Sequence, residues 1–173
     1  MNKAVFLDRD GVINKDKGYV YRIEDFEFCE GVFETLRTFQ DLGYLLIIVT
    51  NQSGIGRGYY REEDFQTLTS WMCQAFLHVN VAIDAVYHCP HAPELGCSCR
   101  KPRSQMFEEA IQAFDIDVKR SWMIGDKPSD MIAARGARIE QTIFIGEDQP
   151  SDAKYRVNFL LDTINIIKTN SDK

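Results

Sequence analysis

Asp8 and Asp10 stand one residue apart, after a short apolar run and just before Gly11. On an extended backbone they point to the same side, so the two carboxylates share one mouth. Such a pair suits a nucleophile beside an acid/base, or two ligands of one metal ion. A pair of acids can equally be solvated at a strand end, so the other residues must decide. Thr50 and Asn51 end a second apolar run, Asp126 and Lys127 end a third, and Lys101 lies between them. Together these supply three carboxylates, a hydroxyl, an amide and two lysines. Few oxygen ligands and an open position suit Mg²⁺, and the lysines and hydroxyl suit the oxygens of a phosphoryl group. An ionised aspartate approaching a phosphate meets a repulsion of about 4 kcal/mol per pair of unit charges at roughly 4 Å, with an effective dielectric near 20. A divalent cation and a lysine offset that repulsion. Asp8 is therefore expected to attack phosphorus and form an aspartyl-phosphate. Asp10 is expected to protonate the leaving alcohol and then to activate water.

A second cluster is Cys89-x-His91 followed by Cys97-x-Cys99. Three sulfurs and one imidazole match a closed, tetrahedral structural zinc site, although the one-residue gaps are tighter than common finger spacings. A disulfide reading leaves His91 unexplained. His88 is read as a strand-end side chain, and Cys29 and Cys73 as incidental or buried thiols. Zinc here would be structural, and it would position Arg100 and Lys101, which follow the last ligand directly.

The elements that carry these groups alternate. Strands are expected over 3–7, 44–49, 83–87, 122–124 and 142–145, with a further edge strand over 159–161. Helices are expected over 32–42, with Val32, Leu36, Phe39 and Leu42 on one face, over 61–78, after Ser104 as a capping residue, over 128–134 and over 163–167. Trp71 and Met72 belong to the core. The pattern predicts an α/β fold with a doubly wound, mainly parallel sheet. Asp8, Thr50 and Asp126 then end three strands on one side of that sheet, where open α/β sheets bind ligands. The connection over 8–30 is long enough to be functional.

Five cysteines among 173 residues, with three crowded into eleven, suggest metal before disulfide. The composition is ordinarily globular, with 45% hydrophobic and 27% charged residues. One domain over 1–168 and a polar tail over 169–173 are expected. A net charge of −6 argues against nucleic acid as a partner and requires a local basic pocket for any anionic substrate. Arg57, Arg100, Arg103 and Lys127 are candidates for it, Arg103 being better read as a surface charge. The longest apolar run, 44–49, is too short to span a membrane. The first strand leaves no room for a leader segment, so the cytoplasm is the expectation, with a monomer as the default where the sequence is silent.

Four strings carry a resemblance: Asp8-Arg9-Asp10-Gly11-Val12-Ile13-Asn14, Thr50-Asn51-Gln52-Ser53-Gly54, Arg100-Lys101-Pro102 and Gly125-Asp126-Lys127. They resemble the four motifs of the haloacid dehalogenase (HAD) superfamily, phosphatase branch. Val12 stands where threonine is common, at a position whose side chain the chemistry does not need. Lys17-Gly18-Tyr19-Val20 and Asp25-Phe26-Glu27-Phe28 are more specific and resemble the heptose-bisphosphate phosphatases within that branch. The resemblance implies a HAD-like Rossmannoid fold without a large cap domain. It implies Asp8 as nucleophile and Asp10 as proton donor. Asp8, the carbonyl of Asp10, and Asp126 would hold Mg²⁺. Thr50 and Lys101 would stabilise the phosphoryl group. Asp16, Lys17, Gly18, Tyr19, Thr50, Asn51, Gln52, Ser53, Arg100, Lys101 and Lys127 would line the substrate site. It also implies a zinc loop held by Cys89, His91, Cys97 and Cys99, and a small sugar phosphate as substrate, on the way to activated heptose for surface polysaccharide. Histidinol phosphatases look similar and share the zinc loop, and an inactive sugar-phosphate-binding or protein-binding module is a third reading.

Overall fold

The computed structural model describes residues 1–147 and 149–171. Six strands form one sheet: β1 (Lys3–Leu7), β2 (Tyr44–Asn51), β3 (Ala85–Cys89), β4 (Trp122–Gly125), β5 (Gln141–Ile145) and β6 (Tyr155–Val157). Their order is β3-β2-β1-β4-β5-β6, and all neighbours are parallel. The chain leaves β1 toward β2 and β3 on one side and reaches β4, β5 and β6 on the other. The order therefore reverses between β1 and β4, and the carboxyl edge at such a reversal is where open α/β sheets open a crevice. Helices α1 (Val32–Asp41), α3 (Glu62–Leu77) and α6 (Thr163–Ser171) cover one face, and α4 (Gln105–Phe114) and α5 (Pro128–Gly136) cover the other. A short helix, α2 (Ser53–Gly56), comes directly after β2.

Burial on both faces explains why the strands read as continuous apolar runs. In β1, Val5 and Leu7 enter the core beneath α1 and α3, while Ala4 and Phe6 enter the core beneath α4 and α5. Fully burying a large side chain such as Val5, Phe6 or Leu7 is worth about 1.5–3 kcal/mol, so β1 is a rigid base for the carboxylate loop beyond Leu7. Trp71 packs at the core margin against Phe26 and Phe28.

Four local expectations are corrected. β3 starts at Ala85 instead of residue 83, because the Asp84 carboxylate takes the Leu46 N–H at 2.8 Å, in place of a ladder bond. The shift carries Cys89 into the strand. The apolar stretch 159–161 is no strand: β6 is Tyr155–Val157, pairing Ile143 with Tyr155, and Leu160 turns inward in a 3₁₀ turn. Ser104 occupies the helix-start position but makes no cap. Its backbone is already near-helical (φ −97°, ψ 0°), and its hydroxyl donates to Glu108 Oε1 at 2.7 Å. The last helix outruns 167 and reaches Ser171, whose hydroxyl lies 2.9 Å from the Tyr44 hydroxyl. The remainder of the expected tail, 172–173, lies outside the described residues.

Candidate active site

β1 delivers Asp8 one residue past its end, and the chain then turns tightly: the amides of Val12, Ile13 and Asn14 all donate to the Arg9 carbonyl. Gly11 makes that turn at φ +92°, and a Cβ there would lie 1.9 Å from Asp126 Oδ2. Only glycine lets the first carboxylate loop come so close to the end of β4.

Asp8 is 4% exposed. Its Oδ1 accepts from Lys101 Nζ at 2.9 Å and from the Arg9 amide at 2.9 Å. Lys101 is itself buried; its Nζ also donates to the Val49 carbonyl at 2.8 Å and pairs with Asp130 Oδ1 at 2.7 Å. The Lys101 backbone is fixed by both ends of the Asn51 amide, at 3.0 and 3.2 Å. Single carboxylate oxygens of Asp8, Asp126 and Asp130 lie within 4.8 Å of one another. Burial first, and then the Asp8 charge, push Asp126 up to about 8. Burial and Asp130 likewise raise Asp8, against the opposing pull of Lys101 and Lys127. Burial alone would lower Lys101, but the charges of Asp130 and Asp8 hold it above its ordinary value. The buried Oδ1 of Asp126 has no hydrogen-bond partner. Three crowded carboxylates with one oxygen unanswered are the donor set that a hard divalent cation completes.

Asp10 stands at the same mouth. Its Oδ1 accepts from Asn14 Nδ2 and Arg9 Nη2, each at 3.0 Å, and its Oδ2 from Gln52 Nε2 at 3.2 Å. Asp8 and Asp10 line one small cleft with Asn51, Lys101, Lys127, Ser129 and Asp130. That cleft shares Asp10, Asn51, Lys101, Lys127 and Ser129 with a cavity of about 490 Å³. Asp16, Gly18, Tyr19, Gln52, Ser53 and Arg100 complete the cavity's expected lining.

Two expected residues are placed differently. Lys17 turns to Glu27 at 3.2 Å, where it joins Lys15, and does not line the cavity. Thr50 is fully buried, its Oγ1 accepting from Gln52 Nε2 at 2.9 Å, so it lies under the cavity floor. Arg57, an open candidate for the basic pocket, pairs with Glu94 at 3.5 Å and is absent from the lining. Arg103 donates to the Cys97 carbonyl. Asp130, Arg9, Asn14 and Tyr60 were missed as site residues. Asp130 carried a signal, an acid four residues after Asp126 in the first turn of α5, but an acid there also reads as a helix cap. It does in fact accept from the Lys127 amide at 3.1 Å.

The cysteine cluster assembles as read. Cys89 Sγ lies 3.6 Å from His91 Nδ1 and 3.5 Å from Cys97 Sγ, while Cys99 Sγ lies 3.2 Å from His91 Nδ1 and 3.7 Å from Cys97 Sγ. These separations exceed a disulfide bond of about 2.05 Å. They match the edge of a tetrahedron around zinc, roughly 3.8 Å for Zn–S bonds of about 2.3 Å. Burial opposes ionisation of Cys97, but the Arg100 amide and its thiol neighbours bring it down to about 6. His88 takes no part: it stacks on Phe65 at 4.1 Å and contacts Glu62 at 2.7 Å. The cluster packs on α2, where the Gly56 amide donates to the Pro90 carbonyl at 2.8 Å.

A family model described as HAD-hydrolase-like matches residues 98–165. A D-glycero-alpha-D-manno-heptose-1,7-bisphosphate 7-phosphatase of Campylobacter jejuni is 52% identical over 154 residues, covering 89% of this chain and 88% of that one. A D-glycero-beta-D-manno-heptose-1,7-bisphosphate 7-phosphatase of Pasteurella multocida is 44% identical, covering 95% and 94%. The solved D,D-heptose 1,7-bisphosphate phosphatase of B. bronchiseptica, complexed with magnesium and phosphate, has the same fold, with a TM-score of 0.88 at 24% identity over 96% of this chain and 98% of that chain. With a buried Asp8–Lys101 pair at the reversal point of the sheet and relatives this similar along nearly its whole length, the chain belongs to the heptose-1,7-bisphosphate 7-phosphatase family of HAD-like phosphoric monoester hydrolases.

Proposed function

We propose that this chain removes the 7-phosphate of D-glycero-D-manno-heptose 1,7-bisphosphate and leaves heptose 1-phosphate, a precursor of nucleotide-activated heptose. The observation that carries the reading is the Asp8 carboxylate, ion-paired at 2.9 Å to a buried lysine and sharing a cleft with Asp10. Asp8 attacks phosphorus, and the bond to the sugar oxygen breaks as Asp10 gives that oxygen its proton. Asp10 then takes a proton from the water that hydrolyses the aspartyl-phosphate. Lys101 answers the charge of the phosphoryl oxygens. Arg100 and Lys127 provide the basic lining that a bisphosphate needs in a chain of net charge −6. Asp16, Gly18, Tyr19, Asn51, Gln52 and Ser53 shape the sugar site. Thr50 acts from below, through Gln52. Asp8, the Asp10 carbonyl and Asp126 are the residues that would hold Mg²⁺, with Asp130 beside them. Bound there, Mg²⁺ would neutralise the crowded carboxylates and the charge of a bound phosphate.

The named relatives act on heptose bisphosphates, so the histidinol phosphate reading is not favoured. A panel of both heptose bisphosphate anomers, histidinol phosphate and other sugar phosphates, assayed with Mg²⁺, tests the substrate. The heptose bisphosphates are expected to be hydrolysed with the highest kcat/KM, and preferential hydrolysis of histidinol phosphate would overturn the assignment.

Cys89, His91, Cys97 and Cys99 are proposed to hold a structural zinc ion, whose role is to fold the loop that ends in Arg100 and Lys101. Metal analysis is expected to find one zinc per chain. Chelated protein supplied with Mg²⁺ is expected to lose activity by about tenfold or more, because the loop is too polar to order itself. Full activity in a zinc-free sample would refute this role. One domain over 1–168, acting as a cytoplasmic monomer without a nucleic-acid partner, completes the reading. Among the described residues no helix is long and apolar enough to cross a membrane.

A further inference from the structure

Arg9 is a charged residue that neither reactive carboxylate explains by itself. It is 1% exposed, and its Nε and Nη1 have no hydrogen-bond partner. Its guanidinium lies 5.9 Å from the Phe26 ring and 6.0 Å from the Phe65 ring. Removing an arginine from water costs several kcal/mol even when it is paired. A hydrophobic side chain would fill the same space without that cost. Its one bonded nitrogen, Nη2, does two things at once: it donates to both Asp10 oxygens at 3.0 and 3.2 Å, and to the Val20 carbonyl at 2.7 Å. Val20 comes just after Gly18 and Tyr19 of the cavity wall. A second route joins the same two places. Gln52 donates to Asp10, Tyr60 donates to Gln52 Oε1, and Tyr60 stacks on Tyr21 with ring centroids 5.0 Å apart and planes 6° apart. The segment 16–22 is thus seated on Asp10 from two sides.

We propose that Arg9 is a positioning residue for Asp10, and that it makes the aim of the Asp10 carboxylate depend on segment 16–22 being seated over the cavity. A small substrate that fails to engage the segment then meets a poorly aimed proton donor. The inference rests on the phosphatase reading above. In the first half-reaction the Asp8–phosphorus bond forms, the bond from phosphorus to the leaving oxygen breaks, and the Asp10 proton passes to that oxygen. Arg9 enters none of these steps; its Nη2, carried on a rigid planar guanidinium, sets where the carboxylate points.

The leaving group exposes this role. An alkoxide leaves only if protonated, whereas the phenolate of 4-nitrophenyl phosphate leaves without a proton. The parameter kcat/KM reads only the steps up to formation of the aspartyl-phosphate, so later water activation does not blur it. Arg9→Lys keeps the charge, but its stem is one atom shorter, so the ammonium falls short of the position from which Nη2 reaches both Asp10 and Val20. It is expected to lower kcat/KM for heptose bisphosphate about 100-fold, within the range of a misplaced general acid, and for 4-nitrophenyl phosphate less than about threefold. Tyr21→Ala, which leaves Arg9 in place but unseats the segment, is expected to show the same selectivity to a smaller degree. It also keeps the test open if Arg9→Lys fails to fold in a thermal melt. Equal losses on both substrates in the folded variants, or no loss on either, overturn the proposal. Wild-type protein that cleaves other alkyl phosphates but not heptose bisphosphate would sink the substrate reading alone. The selectivity of the variants is then measured on the best of those alkyl phosphates.

Discussion

Replacing Asp8 with Asn is expected to reduce phosphate release on the order of 10⁵-fold or more, the scale seen when a covalent nucleophile is removed. The change is nearly isosteric, and the amide oxygen still accepts from Lys101 and from the Arg9 amide, where the carboxylate now lies 2.9 Å from each. The fold should therefore survive, and its stability should move the other way. Burial and the neighbouring Asp130 raise Asp8 above its ordinary value. A carboxyl raised on folding favours the native state below its unfolded pKa of 3.8 and loses that contribution as the pH climbs through its folded value. At neutral pH and without added Mg²⁺ the ionised group is a burden that the neutral amide removes. The melting temperature of the metal-free variant is expected to equal or exceed that of the wild type. Phosphate release, a thermal melt and intact mass, to exclude deamidation, decide the matter together. A deamidation-free variant that keeps more than about one part in a hundred of its activity would rule out the covalent route.

The order of strands and helices was legible because each strand is buried on both faces and each helix on one, which writes apolar runs and 3.6-residue stripes into the chain. Asp8, Asn51 and Asp126 were legible for a related reason: each is a polar residue that ends an apolar run, and the parallel order places all three at one edge. Errors came where one side chain outvotes a pattern. Asp84 replaces a ladder bond and moves the start of β3, and Leu160 serves the core from a turn. Lys17, in the string most specific to the heptose enzymes, was drawn off by Glu27, ten residues ahead of it, a pairing that periodicity does not encode. Arg9 and Asp130 were missed for the opposite reason. Their sequence contexts offered ordinary alternatives, a solvated arginine between two acids and a helix-capping aspartate. Only the three-dimensional structure shows that both are buried against the reactive groups. The cysteine cluster was legible because three thiols and an imidazole within eleven residues have few other uses.

Lys101→Met is expected to fail in two separable ways. Methionine matches the lysine stem in length, but it leaves Asp8 and Asp130 buried beside each other without the ammonium that now lies 2.9 and 2.7 Å from them. Breaking a buried pair from one side costs about 3–5 kcal/mol, so the variant should melt well below the wild type. Its activity should fall about 10³-fold, as when a donor to a developing oxyanion is lost. Adding Asp130→Asn separates the two effects. It removes the second buried charge, and its amide can still accept from the Lys127 backbone where Asp130 does now. The double variant is expected to regain much of the lost stability and none of the lost turnover, because no cation then stands where Lys101 meets the phosphoryl oxygens. If turnover returned along with stability, Lys101 would be a structural counter-ion to Asp130 and no part of the chemistry. If neither returned, the backbone clasp between Asn51 and residue 101 would have been lost with the side chain, which a double variant that melts like the single one would reveal. The lysine lies two residues beyond Cys99 and is clasped by Asn51, so the metal loop and the end of β2 both bear on where this one charge sits.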